Sequence, residues 1–493
     1  MVPSKSPGMR LPRLLLPVAA AGLVVPLALS AVAGAKSTAP TFVQYTSPVG
    51  VKLTTGAPEP IAGIIKSAKQ NPYGVPVFGI YSQTGIGDSC GEPSLGVDPK
   101  TGNVLYQCGL QTLRITKMTK AGASTWTPVQ PLVESVQSSD PILYRDADTG
   151  RVFVNQLMPQ GCSAQAYSDD FGSSWVQGPV GCAIGISFDH QTVGTGKPTT
   201  LLTTPAYKNV VYYCTNDLAA LNCGISLDGG LTYGPAHPVS TIANDSCSDI
   251  VGHIKSAPDG TVYLMPDGCS DESGDQAVYV STDNALTWTK RGIPHATEGD
   301  AGHPSLAVGS DGTVYASWGS HDNDSGGGRV YVSVSRDKGV HWTLPQALGK
   351  EQGVHVSRFP IAVAGDGDRA AIAYLGSTSS DNPGNRKSFF GAWRMYVSYT
   401  YDRGKHWTTY DATPKSPVQV GSVCTSGSGC TTGPDSDRNL LDFNDMVLDG
   451  KGRVVIAFAD GCLKVSGCTT HDRLRKGAIL VQTAGKSLYR TFD

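Results

Sequence analysis

The sequence predicts an all-β protein built from repeated hairpin units. Three observations indicate this fold class: a turn motif recurs at a near-regular period, a hairpin pattern interleaves with it, and glycine and proline are frequent, at 59 and 32 of 493 residues. A supersecondary unit repeated at a near-constant period indicates an array that is stacked or arranged radially. Only 16% of the residues are charged, which suits a β protein rich in turns.

The first repeat is a turn motif that reads Ser/Thr-x-Asp-x-Gly/Ala-x-x-Trp/Tyr. Five copies begin at residues 168, 226, 281, 335 and 400, and a degenerate sixth copy without the Asp begins at residue 119, so that successive copies start 49 to 65 residues apart. An Asp in a turn can accept hydrogen bonds from the backbone amides that follow it, and Gly adopts positive φ without strain. The closing aromatic residue can anchor the turn against a neighbouring unit.

The second repeat is a hairpin made of an apolar strand, a turn rich in Asp and Gly, and a second apolar strand. Its seven members are residues 92–106, 140–154, a less regular stretch from near 190, 249–264, 303–315, 358–374 and 444–458. Seven hairpins predict seven structural units. The strands on either side of the turn motif add two further strands to six of these units.

The turn motif closely resembles the Asp-box, or BNR repeat, of sialidase-like β-propellers. The resemblance covers roughly residues 90 to 485 and implies a seven-bladed β-propeller whose Asp-box turns lie on the face opposite the active site. The last blade reaches the end of the chain near Asp493, so we expect the segment 41–45 to supply its outer strand and close the ring. The catalytic set of true sialidases is not matched, because Gly91-Glu92-Pro93-Ser94 lacks the arginine of their first motif.

The chain is predicted to divide into residues 1–35, a signal peptide, residues 36–88, an N-terminal segment, and residues 89–493, the propeller. Arg10 and Arg13 precede an apolar run of about 16 residues, and small residues follow it, which is typical of an export signal. A retained membrane anchor is the alternative for this run. We therefore expect a secreted or extracellular protein, with association to the cell surface as a further option.

Twelve cysteines in an exported protein predict a disulfide framework. Pairing of neighbours in the sequence gives six bonds: Cys90–Cys108, Cys162–Cys182, Cys214–Cys223, Cys247–Cys269, Cys424–Cys430 and Cys462–Cys468. Nearly all of these cysteines fall before a first strand or between a second and a third strand. By strand alternation, the predicted disulfides staple the loops of the face opposite the Asp-box turns.

The starts of the seven first strands supply the candidate site residues, since these starts are expected to converge on a central channel. Convergent polar groups in a concavity are the default site hypothesis. Capping of strand ends and binding of channel water are the structural alternative for the same residues. We predict Glu92, Asp140, Asp249, His303 and Arg358 as catalytic residues, and His190, Arg145, Asp445 and Trp318 as substrate-binding residues.

We predict a glycoside hydrolase that acts on glycans, of the exo-sialidase type or a related one, with its site at the mouth of the central channel, and two alternatives could use the same residues. A glycoside hydrolase needs one protonated and one ionised carboxyl group, whereas a polysaccharide lyase needs a base and a cation. A non-catalytic propeller that binds glycan or protein at the cell surface is the alternative outside enzymology. No cofactor is required, although a divalent cation such as calcium held by the carboxylates is a further option.

The expected partner is a glycan or glycoconjugate, and a monomer is expected. The net charge of −2 argues against nucleic-acid binding, because a nucleic-acid-binding domain normally has a basic footprint. Two facing carboxyl groups in an open pocket would favour hydrolysis, and a ring of side chains that is buried or closed by ion pairs would favour the binding module.

Overall fold

A computed structural model gives the architecture of the chain. The residues that it describes are 38–49, 85–135, 140–158, 162–178, 189–199, 206–217, 220–241, 245–248, 250–269, 276–296, 303–320, 328–381, 383, 388–425, 430, 437–463 and 467–493. The predicted signal peptide and the greater part of the N-terminal segment lie outside these ranges. Among the described residues, no helix is long and apolar enough to cross a membrane.

Seven antiparallel sheets confirm the predicted all-β seven-bladed propeller. Blade 1 contains β2 (Ser94–Val97), β3 (Val104–Cys108), β4 (Gln111–Thr116) and β5 (Thr125–Pro128). Blade 2 contains β6 (Pro141–Arg145), β7 (Val152–Met158), β8 (Cys162–Ser168) and β9 (Val176–Gln177). Blade 3 contains β10 (Asp189–Gly196), β11 (Val210–Asn216), β12 (Ala220–Ser226) and β13 (His237–Thr241). The first strand of each blade is the innermost one.

Blades 4 to 7 follow the same plan. Blade 4 contains β14 (Lys255–Ser256), β15 (Val262–Leu264), β16 (Ala277–Ser281) and β17 (Thr289–Gly292), and blade 5 contains β18 (Ser305–Val308), β19 (Val314–Gly319), β20 (Val330–Ser335) and β21 (Gln346–Ala347). Blade 6 contains β22 (Val356–Ala364), β23 (Ala370–Ser377), β24 (Ala392–Thr400), β25 (Thr408–Asp411) and β26 (Gln419–Val420). Blade 7 contains β27 (Asp445–Leu448), β28 (Val454–Asp460) and β29 (Lys476–Ala484). Short 3-10 helices cover Leu132–Ser135, Lys350–Gln352 and Arg490–Phe492.

The ring closes through both ends of the described chain. The first strands of successive blades lie side by side, and β27 lies beside β2. Strand β1 (Thr41–Thr46) pairs antiparallel with β29 and is the outermost strand of blade 7. This pairing leaves blade 7 with four strands although the chain ends shortly after β29.

The core is divided into layers between successive blades rather than collected in one centre. Val210, Tyr212 and Leu221 of blade 3, for example, pack against Val262 and Tyr279 of blade 4. These strands are buried on both faces and are therefore rich in β-branched and aromatic residues. Sheet-on-sheet packing of this kind leaves only the first strands facing the axis.

The turn motif forms a recurring set of hydrogen bonds between the third and fourth strands. In the turn after β16, the Ser281 Oγ accepts the Ala285 N–H at 2.9 Å, and Asp283 accepts the N–H and the hydroxyl of Thr287. The turn after β20 repeats the pattern from Ser335. Asn284 and its counterparts adopt positive φ, which the side-chain hydrogen bonds hold in place.

Five of the six predicted disulfides are confirmed: Cys90–Cys108, Cys214–Cys223, Cys247–Cys269, Cys424–Cys430 and Cys462–Cys468. The sixth prediction involves Cys182, which lies outside the described residues. The five bonds lie before first strands or between second and third strands. They therefore hold the loops of the face opposite the turn motif.

Candidate functional site

Hydrogen bonds between neighbouring blades align the inner strands residue by residue. The hydroxyl of Ser94 in blade 1 accepts the N–H of Leu143 in blade 2 at 2.6 Å. Equivalent bonds join Thr192 to Ile254, Ser305 to Ala362 and Asp445 to Leu95. These hydrogen bonds define one level of the inner strands. Counting two residues back from that level gives one residue in each blade: Glu92, Asp140, His190, Val251, His303, Phe359 and Phe443. We call these seven residues the axial ring.

Three members of the axial ring have a left-handed backbone. The φ angles of Glu92, His190 and Phe359 are 52°, 49° and 57°. The pairing of β10 with β11 and of β22 with β23 shifts register at the same level, which is typical of a bulge. Positive φ in a bulky residue costs of order 1 to 3 kcal/mol and tends to occur at functional sites.

One side of the ring holds an acidic cluster made of Glu92, Asp140, Asp442 and Arg438. Glu92 is hydrogen-bonded to Asp442, and Arg438 donates two hydrogen bonds of 2.5 Å to the same Asp442. Burial raises the pKa of Glu92 well above its ordinary value, and the charges of Asp140 and Asp442 raise it further, while Arg438 opposes the shift. Glu92 is therefore expected to be protonated where its acidic neighbours carry charge.

The other side of the ring holds three imidazoles around one phenyl ring. His190 and His303 have ring centroids 3.6 Å apart, and Phe443 contacts both edge-on. His253, at the next level of blade 4, lies 4.9 Å from Phe443. Burial lowers the pKa of His253 and of His303 well below the ordinary value, and the other imidazoles add to the shift. Both side chains are therefore neutral at pH 7.

Access to the cluster is restricted by the ion pair between Arg438 and Asp442. Glu92 is 2% exposed and Asp140 is 9% exposed. The side chains of Arg438 and Asp442 are 16% and 18% exposed, so the ion pair is the part of the acidic cluster that reaches furthest toward solvent. Any ligand that touches Glu92 must displace or enlarge this contact.

Two further predicted residues, Arg358 and Asp445, lie at other levels of the inner strands than the axial ring. Arg358 lies one residue before Phe359, and its guanidinium donates to the Ser357 carbonyl at 3.0 Å. Asp445 lies two residues beyond Phe443 and accepts the N–H groups of Leu95 and Met446. Asp249 lies outside the described residues, and Val251 occupies the axial position of blade 4. Arg358 and Asp445 therefore do not fall at the level of Glu92.

Two predicted substrate-binding residues lie away from the cluster. Trp318 is 1% exposed and packs in the core between blades 4 and 5, parallel to Tyr331. Its ring is thus unavailable for stacking on a sugar in this structure. Arg145 ends β6, four residues along the strand from Pro141, and lies at the opposite end of the channel from Asp140.

Four residues of the site were not predicted from the sequence: His253, Arg438, Asp442 and Phe443. His253 and Phe443 could have been found from the correct inner-strand register. Arg438 and Asp442 belong to the loop before blade 7, and no repeat fixes the position of that loop. Their spacing of four residues is the one local signal for an ion pair.

Metal chemistry finds no support in this cluster. Within the described ranges, no three His, Cys, Asp or Glu side chains are arranged to hold a metal ion. The rings of His190 and His303 contact each other directly, and Phe443 lies edge-on to both.

Comparison with known proteins gives structural similarity at low sequence identity. No protein-family model matches the chain, and no curated protein matches it. The GH74 enzyme of Niastella koreensis is similar, with a TM-score of 0.47 and 16% identity, over 80% of this chain and 55% of that one. The chain thus spans about half the length of that enzyme.

Two shorter solved structures are covered almost completely. The α-L-arabinanase of Penicillium chrysogenum has a TM-score of 0.42 and 13% identity, over 69% of this chain and 92% of that one. The Aleuria aurantia lectin has a TM-score of 0.37 and 12% identity, over 67% and 96%. Enzymes and a lectin both occur among these neighbours, so the chemistry must be inferred from the residues of this chain.

Proposed function

We propose that the protein is a glycan-acting hydrolase whose general acid is Glu92. The observation that carries this proposal is the environment of Glu92, which combines burial, two neighbouring carboxylates and an arginine. Glycoside hydrolysis needs one carboxyl group that stays protonated at working pH and a second that is ionised. Glu92 and Asp140 are neighbouring members of the axial ring, and they are the two carboxyl groups to which we assign these roles.

The proposed roles follow from the contacts of each residue. Glu92 would protonate the leaving oxygen, and Asp140 would act as the base or nucleophile. Asp442 and Arg438 are positioning residues: Asp442 hydrogen-bonds Glu92, and Arg438 keeps Asp442 in place.

The burial of the ring favours a second candidate, a non-catalytic propeller that binds glycan or protein. Glu92, His190 and Arg358 are each less than 6% exposed, and the rings of His190 and His303 lie 3.6 Å apart with Phe443 edge-on to both. In this case the axial residues would close the channel, and the disulfide-held loops would supply the binding surface. A lyase remains the third candidate, with neutral His303 as its base.

We also infer that the chain is a secreted member of the sialidase-like propeller superfamily. In the turn motif the Gly N–H donates to the Ser hydroxyl and the Thr N–H donates to the Asp carboxylate, and these hydrogen bonds support the family inference. The five disulfides support secretion, because such bonds persist in oxidising compartments. Recovery of the expressed protein in the cell pellet with an intact N-terminal segment would contradict secretion.

The decisive experiment is a substrate screen of the secreted protein followed by matched variants. Sialosides, neutral glycosides, arabinan, xyloglucan and uronate polysaccharides form the panel. Activity should fall at least a thousandfold in Glu92→Gln and Asp140→Asn. Glu134→Gln is the matched control, since it alters another fully buried glutamate outside the cluster.

Three outcomes separate the candidates. Hydrolysis that is lost in Glu92→Gln and retained in Glu134→Gln supports the proposal. Hydrolysis that is unchanged in Glu92→Gln refutes the assigned acid. Glycan binding without turnover on any substrate supports the binding propeller, and unsaturated products from uronate polysaccharides would show the lyase.

A further inference from the structure

A cavity lies along the propeller axis, between the axial ring and the turns that join the first and second strands. Its volume is about 560 Å³, and residues from the first strands of all seven blades line it. His253 and Asp445 lie at its inner end, and the turns between first and second strands lie at its outer end. A volume in this range suits a small organic ligand. The cavity is therefore separate from the Glu92 cluster.

One wall of this cavity carries three cations at successive depths. Lys255 of blade 4 lies two residues beyond the level of the inter-blade hydrogen bonds. Arg145 of blade 2 lies three residues beyond it, and Lys197 of blade 3 lies five residues beyond it. At about 3.3 Å per residue, the side chains are spread over roughly 10 Å of the channel. Cations arranged along a narrow channel with low-dielectric walls focus the field and attract anions.

The cavity also holds three carboxylates, Asp146, Asp148 and Asp445, and each accepts a hydrogen bond. The charge of Asp445 acts on Lys255 and those of Asp98 and Asp146 act on Arg145, but among the described residues the three cations donate no hydrogen bond. Asp445 accepts two backbone N–H groups, and Asp146 accepts hydrogen bonds from Tyr207 and Asn209. Within the described ranges, the cations of the wall make no ion pair closer than 4.0 Å. The unused hydrogen-bonding capacity of the cavity is therefore mostly that of donors.

Two further observations indicate an organic ligand. Tyr212 lines the cavity, and its buried hydroxyl makes no hydrogen bond to the described residues. The wall opposite the cations is apolar, with Val97, Val308 and Met446 among its residues. A ligand with an anionic head and C–H surface, such as a sugar acid, fits both walls.

We propose that this axial cavity binds a small organic anion, with its charged group between Lys255 and Arg145. The apolar wall contacts the carbon skeleton, and the Tyr212 hydroxyl serves as an additional donor. Burial lowers the pKa of Lys255, and the charge of Asp445 opposes that shift, so a bound anion would raise the pKa again. The site is independent of whether Glu92 is catalytic.

Calorimetric titration of the full secreted protein at low ionic strength tests the proposal. The probes are D-glucuronate, inorganic phosphate and, as a neutral match, D-glucose. Glucuronate should bind, glucose should not, and Lys255→Met should weaken binding roughly tenfold. Lys415→Met is the matched control, because Lys415 is exposed and does not line the cavity. Glu92→Gln should bind like the wild type.

The controls make each outcome decisive. Equal binding of glucose and glucuronate, or binding that persists in Lys255→Met, overturns the proposal. Phosphate that binds more tightly than glucuronate overturns the organic part of the assignment. If Lys255→Met fails to fold, which its denaturation midpoint would reveal, Arg145→Met makes the same test from the outer half of the cavity.

Discussion

Glu134 offers a quantitative test of the electrostatics between blades 1 and 2. This glutamate lies in the Leu132–Ser135 turn and is 0% exposed. Its Oε1 accepts hydrogen bonds from Gln107 at 2.8 Å, Thr112 at 2.6 Å and Gln156 at 3.4 Å. Burial nevertheless dominates and raises the pKa of Glu134 from 4.5 to about 7. Glu134→Gln removes the charge and retains an acceptor oxygen.

The sign of the effect follows from proton linkage. The folded protein holds the Glu134 proton up to about pH 7, whereas the unfolded chain releases it near pH 4.5. Stability from this group is therefore fully present below pH 4.5 and is lost as pH rises to about 7. At 1.36 kcal/mol per unit, the loss is about 3 kcal/mol. The Glu134→Gln variant has no titrating group at this position. Its free energy of unfolding relative to that of the wild type should therefore rise by about 3 kcal/mol between pH 4 and pH 8.

Urea unfolding followed by tryptophan fluorescence at several pH values measures this difference. Other buried acids, including Asp460, titrate equally in both proteins and cancel in the comparison. Glu351→Gln is the control: Glu351 is exposed and accepts the Thr409 N–H, and its variant should follow the wild-type profile. A stability difference for Glu134→Gln that stays constant within about 0.5 kcal/mol from pH 4 to pH 8 would refute the reasoning.

Three further changes have expected outcomes. Asp283→Ala removes both hydrogen bonds to Thr287 and should destabilise the protein by about 1 to 2 kcal/mol in urea; an unchanged midpoint would contradict the turn's role. Replacing Cys214 and Cys223 together by serine should cost about 2.5 kcal/mol for this short loop, and equal midpoints for variant and wild type would count against it. Deleting Thr41–Thr46 exposes the edge of β29 and should cause aggregation in size-exclusion chromatography; a monomeric, equally stable product would exclude closure by β1.

The sequence predicts the blades well because each blade is encoded locally. The turn motif and the hairpin pattern recur within short segments, and neighbouring cysteines pair across one strand-to-strand loop, as Cys214 and Cys223 do. The site depends instead on the register of seven strands that are far apart in the chain. A bulge near Arg358 shifts that register in blade 6. In blade 7 the polar residue at the strand start, Asp445, lies two residues beyond Phe443, the member of the axial ring.

The loop before blade 7 explains the other part of the site that the sequence does not predict. Arg438 and Asp442 lie close to Glu92 although they belong to the loop before blade 7, which no repeat constrains. Their effect on Glu92 is electrostatic and depends on burial, which a linear pattern does not show. Composition and motif therefore predict the scaffold, whereas long-range packing determines the chemistry.

The composition of the axial ring itself argues that its polar members do more than close the channel. Val251 and Phe359 hold the same register position in blades 4 and 6, and both are apolar residues that pack in the cores between blades. Buried carboxyl groups and imidazoles carry desolvation penalties of several kcal/mol that apolar residues avoid. Glu92 and His190 add backbone strain to that penalty. A ring that served packing alone would avoid the desolvation penalty with apolar residues in every blade, and this penalty supports the proposal that the polar side chains bind or act on a ligand.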